Sequence, residues 1–121
     1  MARDRRKSEE AGRFAESVAL WYLRFKGWRL LARRYKSPAG EVDLVMRRHG
    51  VTAFIEVKAR ATPDGAVSSV TPRQARRISA AARQFLAEDR KAALQCCRFD
   101  ILAVSPYHWP RHIENAFEGD A

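Results

Sequence analysis

The stretch from Gly40 to Arg60, GEVDLVMRRHGVTAFIEVKAR, constrains this chain more than any other. Two apolar runs flank a short polar turn, Arg47-Arg48-His49-Gly50. Strand side chains alternate faces with period two, so Glu41 and Asp43 share a face of the first run, and Glu56 and Lys58 share one of the second. Val42, Leu44, Ile55 and Val57 are expected on the opposite, apolar face. Hairpin pairing then gathers three carboxylates and an ammonium on one side of the ribbon. Such a set suits a hard cation and a polarised water. Glu-x-Lys alone is a weak signal, because alternating charges also make a solvated strand face. An acidic residue on the paired strand strengthens it.

The chain around this ribbon reads in the order α-β-β-β-α-β. Ser8 is expected to cap a first helix that runs to Lys26 and stops at Gly27. Phe14, Val18, Trp21 and Phe25 form one apolar stripe on it, and Leu20 and Leu23 form another. A helix apolar on two sides is expected to be covered on both, within the domain or by a second subunit. A first strand is expected over Trp28–Tyr35, then the turn Ser37-Pro38-Ala39-Gly40, and strands over Glu41–Arg47 and Val51–Ala59. A small, polar and mobile loop follows from Thr62 to Val70. Thr71-Pro72 opens a second amphipathic helix to Glu88, with Ala75, Ile78, Ala82, Phe85 and Leu86 inward. The last strand is Cys97–Val104. Hairpins make the first three strands antiparallel, and the second helix can carry the chain across to the last. The expected architecture is a mixed sheet with helices packed against it, in one domain over residues 1–121. Residues 1–7 would be a basic flexible arm and 105–121 an irregular tail.

The chain has 23 Lys+Arg against 14 Asp+Glu, a net charge of +9. That excess points to a polyanionic partner, nucleic acid before membrane. Since 18 of the 23 are arginine, a compositional bias is the alternative. Arg73, Arg76, Arg77 and Arg83 line the outer side of the second helix, either as a solvated face or as phosphate contacts. Arg34 and Lys36, near the end of the first strand, are further candidates for such contacts. No apolar run approaches the ~20 residues of a membrane span, and the charged N-terminus has no secretory h-region. A disulfide between the adjacent Cys96 and Cys97 would be strained, so they read as reduced, structural thiols in a cytoplasmic protein.

The ribbon fits metal-assisted phosphodiester hydrolysis. Asp43 and Glu56 would hold Mg²⁺ or Mn²⁺ through oxygen, and Lys58 would orient the nucleophile or stabilise transition-state charge. Glu16, on the Leu20–Leu23 side of the first helix, is either a rim residue with its carboxylate in water or a further ligand. His108 and His112 have a proline between them and read as surface or packing residues rather than ligands.

Gly40-Glu41-Val42-Asp43-Leu44 and Phe54-Ile55-Glu56-Val57-Lys58-Ala59-Arg60 together resemble the YraN family of uncharacterised bacterial proteins. The resemblance takes in Gly12, Glu16, Ala19 and Leu23, then Arg98-Phe99-Asp100 and Asn115-Ala116-Phe117. That family looks like a branch of the PD-(D/E)xK nucleases, similar in pattern to Holliday-junction resolvases. The resemblance implies a restriction-endonuclease-like fold, with Asp43, Glu56 and Lys58 catalytic. It also implies that Glu16 joins Asp43 and Glu56 at the metal, with Glu41 and Arg60 supporting. Arg34 stands where the family pattern has Asn, and Arg73 where it has Lys.

Three readings follow. The first is a metal-dependent DNA endonuclease, acting on branched DNA as a homodimer. The second is a non-catalytic nucleic-acid-binding or adaptor protein on the same fold. The third is a protein-interaction role resting on the doubly apolar first helix.

Overall fold

A computed structural model describes residues 2–119, with side chains from Glu9 onward. The elements are α1 (Ala2–Phe25), β1 (Arg29–Ser37), β2 (Gly40–Arg48), β3 (Val51–Ala59), α2 (Pro63–Ser68), α3 (Pro72–Glu88), α4 (Arg90–Ala93), β4 (Cys96–Val104) and β5 (Arg111–Ile113). They build one five-stranded sheet in the order β1-β2-β3-β4-β5. All neighbours are antiparallel except β3 and β4, which run parallel and are joined by a crossover through α2, α3 and α4. This is the expected mixed α/β sheet with flanking helices, consistent with a restriction-endonuclease-like fold.

Local chemistry sets the joints. Gly27, at φ 94°, ends α1, donating its N–H to Arg24 O while Trp28 donates to Leu23 O, both at 3.0 Å. These two bonds satisfy the last helical carbonyls, and Trp28 and Leu23 pack in the same core cluster. His49 and Gly50 both have positive φ, the two-residue turn whose twist suits the β2–β3 hairpin. Thr71 caps α3 by accepting from Gln74 N–H, and the Gln74 side chain accepts from Thr71 N–H in return.

Helices cover both faces of the sheet. Ala19, Leu20 and Leu23 of α1 pack on Leu44, Met46, Ala53, Ile55 and Leu102. On the other face Ile78, Ala81, Ala82 and Phe85 of α3 pack on Val42, Val45 and Phe54. The larger of these side chains, Val, Leu, Ile, Met and Phe, each contribute about 1.5–3 kcal/mol when fully buried. Gly40 lies directly beneath α3, where an added Cβ would meet Arg77 O at 1.8 Å.

Five expectations need correction. First, α1 begins at Ala2, so Ser8 lies inside the helix rather than at its cap. The proposed basic arm at 1–7 otherwise falls on side chains outside the described residues. Second, the 62–70 segment contains helix α2, held by Thr62, whose side chain accepts from Gly65 N–H at 3.1 Å. Third, the 105–121 tail is not wholly irregular, because β5 adds to the sheet edge. It is secured through the buried Asp100, which takes Arg98 Nε at 2.9 Å, His112 Nε2 at 2.7 Å and Asn115 N–H at 2.8 Å. Burial pushes the Asp100 carboxyl up, but these hydrogen bonds outweigh it and leave its pKa lowered. His112, edge-on to Trp28, thus has the packing role expected of it.

Fourth, Cys96 and Cys97 are unbonded and both exposed, so neither contributes to the core. Fifth, among the described residues nothing covers the outer stripe of α1, which removes the covering within the domain and leaves that by a second subunit. Phe14, Trp21 and Phe25 are exposed, while Leu20 and Leu23 are sealed against the sheet.

Candidate active site at the β2–β3 fork

β2 and β3 pair from Arg48↔Val51 to Leu44↔Ile55, and there the ladder ends. Beyond it, the Val57 N–H donates to Asp43 Oδ2 at 2.8 Å, so a side chain replaces the next backbone partner. The strand alternation breaks at the same place. Val42 packs with Val45 and Phe54 under α3, whereas Leu44 packs with Ile55 and Val57 under α1. The expected single apolar face therefore holds for Leu44, Ile55 and Val57 but not for Val42.

β3 continues regularly, and this carries Glu56 and Lys58 to the same side as each other. Lys58 Nζ lies 3.6 Å from Glu56 Oε1, and its side chain is only 6% exposed. A small cleft of about 130 Å³ opens among Glu41, Asp43, Glu56, Gln74, Arg77 and Ile78. That is room for an ion with a few waters. Bulkier substrate groups would have to stay at its mouth.

The charges in this cleft are under strain. Burial pushes the Glu56 pKa up to about 8, with the nearby Asp43 charge adding to the rise and Lys58 opposing it. Asp43 is raised too, again chiefly by burial, and the Val57 N–H opposes the rise. Glu16 adds to it through its charge. One ammonium does not compensate two half-buried carboxylates. A hard cation would, and two carboxylate donors on adjacent strands are the right chemical type to hold one.

The structure gathers Asp43, Glu56 and Lys58, with Glu41 on the exposed rim. It does not gather Glu16 with them as a coordinating trio. Arg34 Nε donates to both Glu16 oxygens, at 3.1 and 3.3 Å, and Arg33 Nε lies 4.0 Å away. Among the described residues no three His, Cys, Asp or Glu side chains lie close enough to hold a metal ion by themselves. Arg34, offered as a phosphate contact, instead directs its Nε at Glu16. Lys36 is exposed on β1 and pairs in register with Glu41. Arg60 is exposed at the end of β3 and folds back on Ala59 O at 2.8 Å.

Arg73, Arg76, Arg77 and Arg83 are all exposed along α3, and of the four Arg77 also lines the cleft. Gln74 joins it there, a residue the charge pattern did not single out. Its signal was the Thr71-Pro-Arg-Gln74 capping pattern, which fixes the first turn of α3.

Residues 15–104 match the uncharacterised protein family UPF0102. The chain belongs to that family. A UPF0102 protein of Bartonella bacilliformis is 45% identical over 116 residues, covering 96% of this chain and 95% of that protein. One from Methylorubrum extorquens is 47% identical over 114 residues, 94% and 89% of the two chains. One from Rhodopseudomonas palustris is 46% identical over 117 residues, 97% and 91%. UPF0102 is the YraN family, so the resemblance drawn from the two strand motifs stands. The UPF0102 match spans α1 through β4 and so includes Glu16, Asp43, Glu56, Lys58 and the α3 arginines. Among the described residues no helix is long and apolar enough to cross a membrane.

Proposed function

We propose that this UPF0102 protein is a metal-dependent endonuclease that hydrolyses phosphodiester bonds in DNA, with branched DNA as its substrate class. The observation that carries this reading is the half-buried Asp43–Glu56 pair beside the buried Lys58. Two carboxylates with raised pKa values and one ammonium 3.6 Å from the second make a poor structural feature and a good cation site. Asp43 and Glu56 would hold Mg²⁺ or Mn²⁺. When bound, the ion supplies positive charge beside the scissile phosphate and acidifies water there.

The protein's own groups do the rest. Lys58, nearly buried, presents an ammonium with restricted freedom, suited to orienting the attacking water or meeting charge on the phosphoryl oxygens. Arg77 stands at the mouth of the cleft and would engage a phosphate adjacent to the one cut. Arg73, Arg76 and Arg83 would hold further backbone phosphates, which position the nucleic acid without reading sequence. The excess of +9 supports the same reading, because it draws a polyanion to the whole surface. A cytoplasmic setting, with Cys96 and Cys97 as thiols, goes with it.

A second reading has one observation in its favour. The Arg34–Glu16 pair neutralises a carboxylate that a resolvase-like metal site would use, and this suits a nucleic-acid-binding protein that no longer cuts. The two separate in one panel: branched, single-stranded and duplex DNA, with and without Mg²⁺ or Mn²⁺, beside Asp43→Ala and Lys58→Ala. The endonuclease reading expects metal-dependent cleavage lost in both variants. Salt-sensitive binding without cleavage of any substrate supports the second reading. Cleavage that survives both substitutions belongs to a contaminant and ends the assignment.

A further inference from the structure

One wall of the cleft beside Asp43 and Glu56 is the start of α3, which brings Gln74, Arg77 and Ile78 to it. Residues three and four apart share one side of a helix. That side comes close because Gly40 has no side chain. A Cβ there would lie 1.8 Å from Arg77 O, so any other residue would hold α3 away from β2.

Gln74 is half-buried at this wall. Its Oε1 accepts the Thr71 N–H at 3.0 Å, and its own N–H donates to Thr71 Oγ1 at 3.1 Å. Only the oxygen of an amide can accept from an N–H, so the capping bond also settles which way the amide is turned. The amide nitrogen is left over. It carries two N–H donors and makes no hydrogen bond among the described residues.

The cap itself does not require glutamine. Glutamate would accept the same N–H, and the positive end of the helix dipole favours the charged residue. A carboxylate at this position would, however, join Glu41, Asp43 and Glu56 in a cleft where burial and the Asp43 charge already push Glu56 up to about 8. Glutamine closes the cap and adds a neutral donor to the same space.

We propose that Gln74 is a substrate-contact residue of this cleft, its amide nitrogen donating to a non-bridging oxygen of the phosphodiester held beside Asp43 and Glu56. This rests on the endonuclease reading and adds a residue to it. The cleft, of about 130 Å³, admits a phosphate oxygen and leaves a base at its mouth. Lys58 offers a point charge with rotatable donors. Gln74, tied at its oxygen, offers a donor of fixed direction, which limits how the phosphoryl group can turn before attack.

Three substitutions separate the cap from the contact. Gln74→Glu keeps the acceptor for Thr71 and loses the donor. Gln74→Lys loses the acceptor and keeps a donor. Gln74→Ala loses both. Urea unfolding should place the Glu variant with wild type, and the Lys and Ala variants below it. Binding should rank them differently. It is read by fluorescence anisotropy of a labelled branched DNA in Mg²⁺, in a Lys58→Ala background expected not to cut. The Kd should rise about ten-fold in Gln74→Ala, rise further in Gln74→Glu and be largely kept in Gln74→Lys. Titration calorimetry should find Mg²⁺ bound by Gln74→Glu at least as tightly as by wild type, so the lost affinity for DNA is not a lost ion. With Lys58 restored, kcat should fall in the same order as binding, because the contact orients the phosphate as well as holding it.

A Gln74→Glu protein that binds and cuts as wild type does would overturn the proposal. So would a Gln74→Lys protein as weak as Gln74→Ala, since the cap alone would then account for the residue. Should Gln74→Lys fold poorly, Gln74→Glu decides by itself, because it keeps both halves of the cap. A wild type that binds the DNA and never cuts it ends the endonuclease reading alone: the anisotropy series still decides whether Gln74 touches phosphate. A wild type that binds no DNA ends both.

Discussion

Asp43 Oδ2 accepts the Val57 N–H at 2.8 Å, and this one bond closes the fork where β2 leaves β3. The carboxylate therefore does two things: it completes the backbone of β3 and it brings a charge into a half-buried cleft. Those contributions oppose each other in the absence of a cation. Asp43→Asn keeps an oxygen for Val57 and removes the charge, so in EDTA it is expected to be more stable than wild type by about 1 kcal/mol. Asp43→Ala removes the charge as well but strands a buried N–H, at a cost of about 1–3 kcal/mol. Urea unfolding should rank Asn above wild type and above Ala. A wild type more stable than the Asn variant without metal would mean that the carboxylate is already compensated.

Glu56 makes the stability of the metal-free protein depend on pH. Its folded pKa is about 8 against an ordinary value of 4.5. Below the ordinary value it is protonated in both states and contributes no pH dependence. Between the two values the folded chain holds a proton that the unfolded chain has released, so stability falls as pH rises and levels off above the folded value. Asp43, also raised, acts in the same direction. Asp100, whose pKa is lowered, loses its contribution only as pH falls below its ordinary 3.8, outside this window. Urea midpoints measured across the window in EDTA should decline, and Glu56→Gln should remove most of the slope. Bound Mg²⁺ should flatten it by favouring the ionised pair. A level wild-type profile would refute the strained-pair description.

Much of this site was legible because strand chemistry is local. Glu41, Asp43, Glu56 and Lys58 read as one constellation from the period of two and the short polar turn Arg47-Arg48-His49-Gly50, of which His49-Gly50 make the turn itself. The break between Val42 and Leu44 was not legible, since it arises only where β2 loses its partner. Nor was the capture of Glu16 by Arg34, two residues eighteen apart that meet through the packing of α1 on the sheet edge. β5 escaped notice because three residues after a proline carry no alternation to read. The buried acceptor that fixes it, Asp100, lies on another strand. Gln74 was visible only as half of a capping box, and its place in the cleft follows from where α3 docks.

Arg34 holds its place at a conformational cost. Its φ of 51° is in the left-handed region, where Asn is the residue other than Gly most at ease. Asn is also what the resemblance to the YraN family leads one to expect there. Relief of the backbone gains about 1 kcal/mol. Loss of a partly exposed ion pair costs about 0–1 kcal/mol. Arg34→Asn should therefore change stability by less than about 1 kcal/mol while releasing Glu16. Titration calorimetry should then show tighter Mg²⁺ or Mn²⁺ binding than wild type, and Glu16→Gln in the Arg34→Asn background should abolish that gain. Equal cation affinity in the two proteins would mean Glu16 plays no part at the site, whatever Arg34 does.

Gly40 follows the turn between β1 and β2 and opens β2, but its space is what matters. A Cβ there would lie 1.8 Å from Arg77 O and 2.8 Å from Arg77 Cα. Both are helix backbone, so no rotamer change can relieve the contact, and α3 must move away from β2. Gly40→Ala is expected to destabilise the fold by about 3 kcal/mol or more, at the upper end of overpacking costs. The displaced helix would carry Gln74 and Arg77 away from Asp43 and Glu56, widening a cleft whose far wall they form. A flexible clash would behave differently: small loss of stability, unchanged cleft. The distinguishing measurement pairs urea unfolding with nucleic-acid binding by the folded fraction. A Gly40→Ala protein as stable as wild type, with undiminished binding, would show that α3 does not rest on Gly40.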